Sequence, residues 1–327
     1  MNANMNKIIK VKELFIAFKV INNLFLSMTY SLMYIIVSYL KNKKRSIMLI
    51  KSMLVLFFIV ISFNASATDK IKLVILHTND THSQVEPTEM SSLKTSNMGG
   101  YARRMGIISK IRNEEKNLLL LDAGDFSQGT PYFNFFNGRI EIDAYNKMKY
   151  DAITLGNHEF DNGVDTLAMI LGKAQFPVIS SNYELDKTPL SELVKPYLIL
   201  EKAGLKIGIM AINVEPKGLI IESNYKGIIY KDALKTAIET STFLKKKKKC
   251  DVIICLSHVG ADTTKLAIND FEIAHKTRYI DLIIGGHSHN LITNTTEKNE
   301  IGKAVIVAQM AKSGLFLGRV DLEFEKK

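Results

Sequence analysis

The residues best equipped for chemistry in this chain are histidines, aspartates and one asparagine that follow short apolar runs. Gly156-Asn157-His158-Glu159-Phe160-Asp161 closes the run Asp151–Leu155. Asn157 offers a neutral oxygen to a metal, His158 a titratable imidazole, and Asp161 a carboxylate able to orient that ring. Thr78-Asn79-Asp80-Thr81-His82-Ser83 follows Lys72–His77. Asp80 and His82 lie two residues apart, so an extended segment would turn both to one side. Asp122-Ala123-Gly124-Asp125 follows Asn117–Leu121, and its glycine permits a tight turn that sets Asp125 where a carboxylate bridges two metals. Asp122, set back in the run, reads as a structural partner. Two more runs end in His258 and in Gly285-Gly286-His287-Ser288-His289.

A lone histidine at such a place is ordinary. Of the seven histidines, however, His82, His158, His258, His287 and His289 all end apolar runs. Beside Asp80, Asp125 and Asn157 they point to metal. The nitrogen and oxygen donors suit Mn, Zn, Fe, Co or Ni, and their number points to two divalent ions. Two ions about 3.5–4 Å apart hold the attacking and leaving oxygens of an in-line displacement. A water between them loses its proton near neutral pH. His158 is not needed as a ligand and is free to act on the leaving group. The remaining two histidines read blandly, His77 inside a strand and His275 on a helix surface.

Elements that position these residues follow from pattern. The runs before the ligands are continuously apolar, as in strands buried on both faces, and α/β proteins keep ligands at such strand ends. Helices are expected over Tyr101–Arg112, with Met105, Ile107, Ile108 and Ile111 inward, and over Asn134–Met148, Gly163–Lys173 and Asp232–Phe243. Phe176–Asn182 and Lys206–Ile212 read as further strands, the second with no ligand-type residue at its end. Asn182 either reaches substrate or caps a turn. Ala304–Ala308 and Leu317–Phe324 are expected as two strands joined by a turn near Ser313-Gly314. The five lysines Lys245–Lys249 read as a solvated helix end. Cys250 and Cys255, the only cysteines, flank a strand at odd separation and are expected in the core rather than in a disulfide.

Composition is ordinary for a globular chain of 327 residues, with 46% apolar and 23% charged residues. The net charge of +10 is concentrated at the start. Residues 1–67 hold eight Lys, one Arg and the single acid Glu13, a net +8, and the whole chain's +10 less this +8 leaves +2 for the rest. That balance gives no footprint for a nucleic-acid polymer. From Met48 a basic start, the apolar run Leu54–Phe63 and Ala65-Ser66-Ala67 form the pattern of a secretory signal peptide, against the alternative of a membrane anchor. Residues 1–47 are expected to be a start-site artefact, with Leu24–Leu40 as an alternative membrane segment. The expectation is therefore a leader over 1–67, one domain over 68–327, a secreted or periplasmic location, and membrane contact only through an uncleaved leader.

Five ordered blocks carry a resemblance. N-D-T-H-S, G-D-F-S-Q-G-T-P, G-N-H-E-F-D, L-S-H and G-G-H-S-H, spread from Ile71 to Phe324, resemble the calcineurin-like metallophosphoesterases. Within them they are most similar to the catalytic domain of the secreted 5′-nucleotidase, UDP-sugar hydrolase and 2′,3′-cyclic-nucleotide phosphodiesterase family. The resemblance implies an α/β fold, a four-layer α/β/β/α sandwich, and hydrolysis of nucleotide phosphate esters. It implies one metal held by Asp80, His82, Asp125 and His289, and a second sharing Asp125 and adding Asn157, His258 and His287. His158 would serve the leaving oxygen, with Asp161 holding its tautomer. The family's C-terminal specificity domain is expected to be absent, and a separately encoded partner to supply it. Broad-specificity, cyclic-nucleotide or UDP-sugar hydrolysis, and a non-catalytic metal-binding subunit, stand as the alternatives.

Overall fold

The computed structural model describes residues 29–34, 70–88, 95–264 and 268–325. The chain divides into two units, Met1–Asp69 and Lys70–Lys327. In the first, residues 29–34 are helical. The expected signal peptide and its apolar run lie outside the described residues. Among those described, no helix is long and apolar enough to cross a membrane.

The second unit is built on two six-stranded sheets. The first holds β1 (Lys70–Thr78), β2 (Leu118–Asp122), β3 (Ala152–Thr154), β4 (Val178–Ile179), β6 (Val194–Lys195) and β14 (Gly318–Glu325), in the order β14-β1-β2-β3-β4-β6. The second holds β7 (Tyr197–Lys202), β8 (Leu205–Asn213), β10 (Val252–His258), β11 (Leu282–Gly285), β12 (Leu291–Lys298) and β13 (Ala304–Met310), in the order β12-β13-β11-β10-β8-β7. The inner strands of both are parallel, and β14, β12 and β7 run antiparallel to their neighbours. A two-stranded ribbon pairs β5 (Tyr183–Glu184) with β9 (Ile229–Tyr230).

Side-chain alternation along the strands creates the layers. Leu73 and Ile75 of β1, with Leu119 and Leu121 of β2, meet Ile207, Ile209, Ile254 and Ile284 of the second sheet in a shared interior. The alternate residues Val74, Leu76, Leu118 and Leu120 face helices instead. Those helices are α1 (Tyr101–Glu114), α3 (Arg139–Met148) and α4 (Gly163–Leu171), with the short α2 (Pro131–Phe136) leading into α3. On the outer face of the second sheet, Met210, Ile253, Cys255 and Ile283 pack under α5 (Ala233–Lys246) and α6 (Asp270–Lys276). The result is the expected α/β/β/α sandwich, each fully buried Leu or Ile contributing about 1.5–3 kcal/mol.

Two local expectations need correction. α1 buries Tyr101, Arg104 and Ile108 and leaves Met105 and Ile107 exposed, because a polar residue, Arg104, occupies the inward stripe. The helix expected over Asn134–Met148 is broken at Asn137-Gly138, both left-handed (φ 52° and 91°). The two strands expected near the end of the chain are β13 and β14, and the turn near Ser313-Gly314 between them carries the chain from one sheet to the other. The lysine run closes α5 as expected. Lys245 Nζ donates to the carbonyls of Cys250 and Asp251, while Lys246 and Lys248 lie over the rings of Tyr279 and Phe243. Both cysteines are buried and unbridged.

Candidate metal centre

The loops leaving the carboxyl ends of β1, β2, β3, β10 and β11 converge between the two sheets. They bring Asp80, His82 and His289 into one cluster and Asp125, His258 and His287 into a second, the donor atoms of each within 4.8 Å of one another. In the first, His82 Nε2 lies 3.0 Å from His289 Nε2, and Asp80 Oδ1 lies 3.4 Å from His289 Nε2 and 3.9 Å from His82 Nε2. In the second, His258 Nε2 lies 3.1 Å from Asp125 Oδ2, and Asn157 Oδ1 lies 2.9 Å from His287 Nδ1.

The backbone that delivers these side chains is unusual. Asp80, His82, Asp125, His287 and His289 all have positive φ, between 45° and 70°. The left-handed conformation costs roughly 1–2 kcal/mol per L-residue, and clustering of such residues marks functional sites. Asp80 and His82 therefore do not share a side through extended spacing, as the sequence suggested. β1 ends at Thr78, and a left-handed turn brings the pair together.

Glycine is required where the two clusters meet. A Cβ at Gly156 would stand 2.1 Å from Asp125 Oδ1 and 2.6 Å from His258 Nε2. One at Gly286 would stand 2.8 Å from His258 Nδ1 and 3.1 Å from Asp80 Oδ2.

The donor set fits divalent cations. Two imidazole nitrogens facing each other at 3.0 Å share at most one proton. Among the described residues, His258 Nε2, fully buried and beside a carboxylate, makes no aligned hydrogen bond, and His82 Nδ1 is likewise buried without a partner. Burial opposes charge on both members of the Asp125–His258 pair, yet their mutual attraction prevails. It holds the Asp125 carboxyl well below the usual range and raises the His258 imidazole to about 10. A divalent cation bound here would take the place of the proton on His258 Nε2, beside an Asp125 carboxylate that is already charged. Asp125 also attracts His82 of the other cluster.

His158 stands at the rim. It begins a 3₁₀ turn, His158–Phe160, and its Nδ1 lies 2.8 Å from Asp161 Oδ2. That hydrogen bond raises the imidazole pKa against partial burial. Its ring packs edge-on to His82 with centroids 5.4 Å apart.

Several residues outside the expected ligand set hold this centre together, among them Glu159, Asn79 and Asn213, which the sequence did not single out. Glu159, buried within the motif, accepts from the backbone N–H of Asp125 (2.9 Å), Gly156 (2.5 Å) and Ser127 (3.1 Å), and from Ser127 Oγ (2.9 Å). Asn79 donates to Asp80 Oδ2 at 2.6 Å and accepts from the Met310 N–H at 2.7 Å. Asn213, at the end of β8, donates to Thr154 Oγ1 and to the Leu155 carbonyl, just ahead of the Gly156 loop. Asn182 neither touches the clusters nor caps a simple turn. It exchanges two 2.8 Å hydrogen bonds with the Asn213 backbone. Asp122 accepts from Thr78 Oγ1, Tyr145 OH and the Gly124 N–H, and burial pushes it up to about 7.

A family model described as calcineurin-like phosphoesterase matches residues 73–291, the stretch that contains both clusters. The chain belongs to that family. It is a metal-dependent phosphoesterase whose two Asp/His clusters are consistent with a dinuclear metal site. Among characterised relatives it is 33% identical over 287 residues to the trifunctional nucleotide phosphoesterase YfkN of Bacillus subtilis (strain 168), covering 78% of this chain and 18% of that protein. It is 35% identical over 279 residues to the 5′-nucleotidase of Homo sapiens, covering 78% of this chain and 47% of the other. The structure of the Haemophilus influenzae NAD nucleotidase superposes with a TM-score of 0.71 at 32% identity, over 78% of this phosphoesterase and 48% of that chain. This phosphoesterase thus spans about half the length of the nucleotidases it matches, and less of YfkN.

Proposed function

We propose that residues 68–327 form the catalytic domain of an exported phosphoesterase that hydrolyses nucleotide phosphate esters. The observation that carries the reading is the meeting of the two clusters beside the His158–Asp161 pair. Asp80, His82, Asp125 and His289 would hold one divalent cation, and Asp125, Asn157, His258 and His287 the other. Two cations so held supply the charge that activates water and offsets the phosphate oxygens. Asp161 keeps the His158 proton on Nδ1 in the neutral ring, so that Nε2 faces the leaving oxygen, and protonated His158 donates to it. Glu159 holds Asp125 and Gly156 in place during this transfer.

Nucleotides are favoured as substrates because the relatives carry the names 5′-nucleotidase, NAD nucleotidase and nucleotide phosphoesterase. Those names differ in substrate, so the nucleotide position is read as loosely specified by this domain, with a further domain or partner adding selectivity. Export rests on the leader pattern at Met48–Ala67 and on similarity to snake venom 5′-nucleotidases.

The deciding experiment compares hydrolysis of AMP, a 2′,3′-cyclic nucleotide, UDP-glucose and p-nitrophenyl phosphate by protein loaded with Mn²⁺ or Zn²⁺. The expected result is metal-dependent release of product from at least one nucleotide, lost in His158→Ala. Metal-loaded protein inert toward all four would reject the reading.

A further inference from the structure

The carboxyl end of β13 grips the metal centre from behind, and one side chain there touches the loop that serves both clusters. Gln309 is fully buried. Its Nε2 donates to the Gly286 carbonyl at 2.9 Å, and its Oε1 accepts from Ser288 Oγ at 3.1 Å and from the Asn290 N–H at 2.5 Å. The residues left between these three anchor points are His287 and His289. His287 belongs to the Asp125 cluster and His289 to the Asp80 cluster. Both are held at positive φ, 70° and 57°, and strained conformations persist only where the surroundings over-determine them. Ser288 extends the grip, since its Oγ also accepts from the Ala261 N–H at 2.9 Å, in the loop that follows His258.

The next residues of the same segment take hold of the other side. The Met310 N–H donates to Asn79 Oδ1, Asn79 donates to the Ala311 carbonyl, and the Ser313 N–H donates to the Asp80 carbonyl. Residues 309–313 therefore set the Asp80 loop and the His287–His289 loop against each other, and Gln309 is the only side chain of that segment hydrogen-bonded to the histidine loop among the described residues. It lies beyond the family match at 73–291 and in none of the ligand-bearing motifs.

We propose that Gln309 is a positioning residue for both metal sites, fixing His287 and His289 in the backbone geometry that points each ring into its own cluster. The proposal rests on the reading of these clusters as metal sites. It assigns Gln309 no contact with substrate. Its loss frees the Gly286 carbonyl and the Asn290 N–H, lets the loop relax from positive φ, and withdraws one ligand from each cation. Outer partners of metal ligands commonly matter tenfold to a hundredfold in affinity.

The test uses the full chain stripped with chelator and titrated with Mn²⁺, following bound metal by calorimetry and the pair signal by electron paramagnetic resonance. Wild-type protein is expected to bind two Mn²⁺ with an exchange-coupled spectrum. In Gln309→Leu, affinity at both positions is expected to fall at least tenfold and the coupled signal to weaken. Ser288→Ala, which removes one of the three anchors, is expected to weaken binding less. It carries the test alone if Gln309→Leu does not fold. Thermal unfolding of the metal-free proteins separates this role from a structural one. A lower melting temperature with unchanged Mn²⁺ affinity in the folded variants would overturn the proposal. Wild-type protein that binds no Mn²⁺ would instead defeat the metal-site reading itself.

Discussion

His82 Nε2 and His289 Nε2 lie 3.0 Å apart although 207 residues separate them in the chain. Both rings belong to the cluster completed by Asp80. Without metal one ring can donate to the other; what points both nitrogens to a shared cation is the Asp80 carboxylate beside them, 3.4 Å from His289 Nε2 and 3.9 Å from His82 Nε2.

Removal of one ring is therefore expected to remove one metal. His289→Ala should bind one equivalent of Mn²⁺ where wild type binds two, measured by plasma mass spectrometry after dialysis, and lose at least a hundredfold in activity. His289→Gln, which keeps an oxygen ligand at similar reach, should retain the second equivalent. Full chelation should lower the melting temperature as well, because metal bound only by the folded state adds about 4 kcal/mol at a thousandfold excess over Kd. Equal stability with and without metal would contradict this.

The pairing of His158 with Asp161 predicts a leaving-group dependence. His158→Ala should cost about 10²–10⁴-fold on AMP, whose alkoxide leaves poorly without a proton. It should cost far less on p-nitrophenyl phosphate, whose phenolate leaves unaided. Asp161→Asn tests the pH dependence. The hydrogen bond that His158 Nδ1–H donates to Asp161 raises the His158 pKa, so a protonated His158 stays available to higher pH. Activity that depends on that proton falls as pH rises through this pKa. In the variant the fall should move to lower pH, seen in a kcat profile on AMP, with Mn²⁺ content unchanged.

Much of this centre is legible in the chain, and the part that is not has a physical reason. Asp80, Asp125, Asn157, His258 and His287 each follow a continuous apolar run, and a parallel sheet with both faces covered makes such runs and gathers their ends. The supports are less visible. Asn79 and Gln309 act on backbone groups of loops far away in sequence, and a partner that is a carbonyl or N–H leaves no mark in residue type. Glu159 sits inside a motif, yet its role depends on three N–H groups turned inward by the loop. The left-handed turns at Asp80 and His82 are equally silent, since aspartate and histidine carry no glycine signal there. The break between α2 and α3 was signalled by Asn137-Gly138, and helix periodicity on either side masks it.

Glu159 gives a stability prediction. It is a buried carboxylate that accepts three backbone N–H groups and the Ser127 hydroxyl. Burial and the nearby Asp125 charge push it up to about 7. Glu159→Gln turns one acceptor into an N–H₂ facing N–H donors, leaving at least one buried donor unpaired. The expected loss is about 1–3 kcal/mol in urea unfolding, with weaker Mn²⁺ binding because the Asp125 N–H and the Gly156 loop are released together. Unchanged stability would mean that water replaces the lost acceptor.

His77 gives the acid limit of the fold. It is fully buried in β1, neither ring nitrogen has a hydrogen-bond partner among the described residues, and Gly318 of β14 presses on its ring. Burial lowers its pKa from the ordinary 6.5 to about 4. The sign follows from the proton count. Above pH 6.5 both states are neutral and the shift has no effect. Below it the unfolded chain takes up a proton that the folded chain refuses, so stability falls as pH drops toward 4. Between pH 7.5 and 5 this residue alone should remove about 2 kcal/mol. His77→Phe fills a similar volume without the titration. Urea unfolding of both proteins at the two pH values should give a smaller acid loss in the variant by about that amount. The difference isolates His77 from the buried acids Asp122 and Glu159, whose raised pKa values act in the opposite direction. An identical loss in the two proteins would show that His77 is protonated without unfolding.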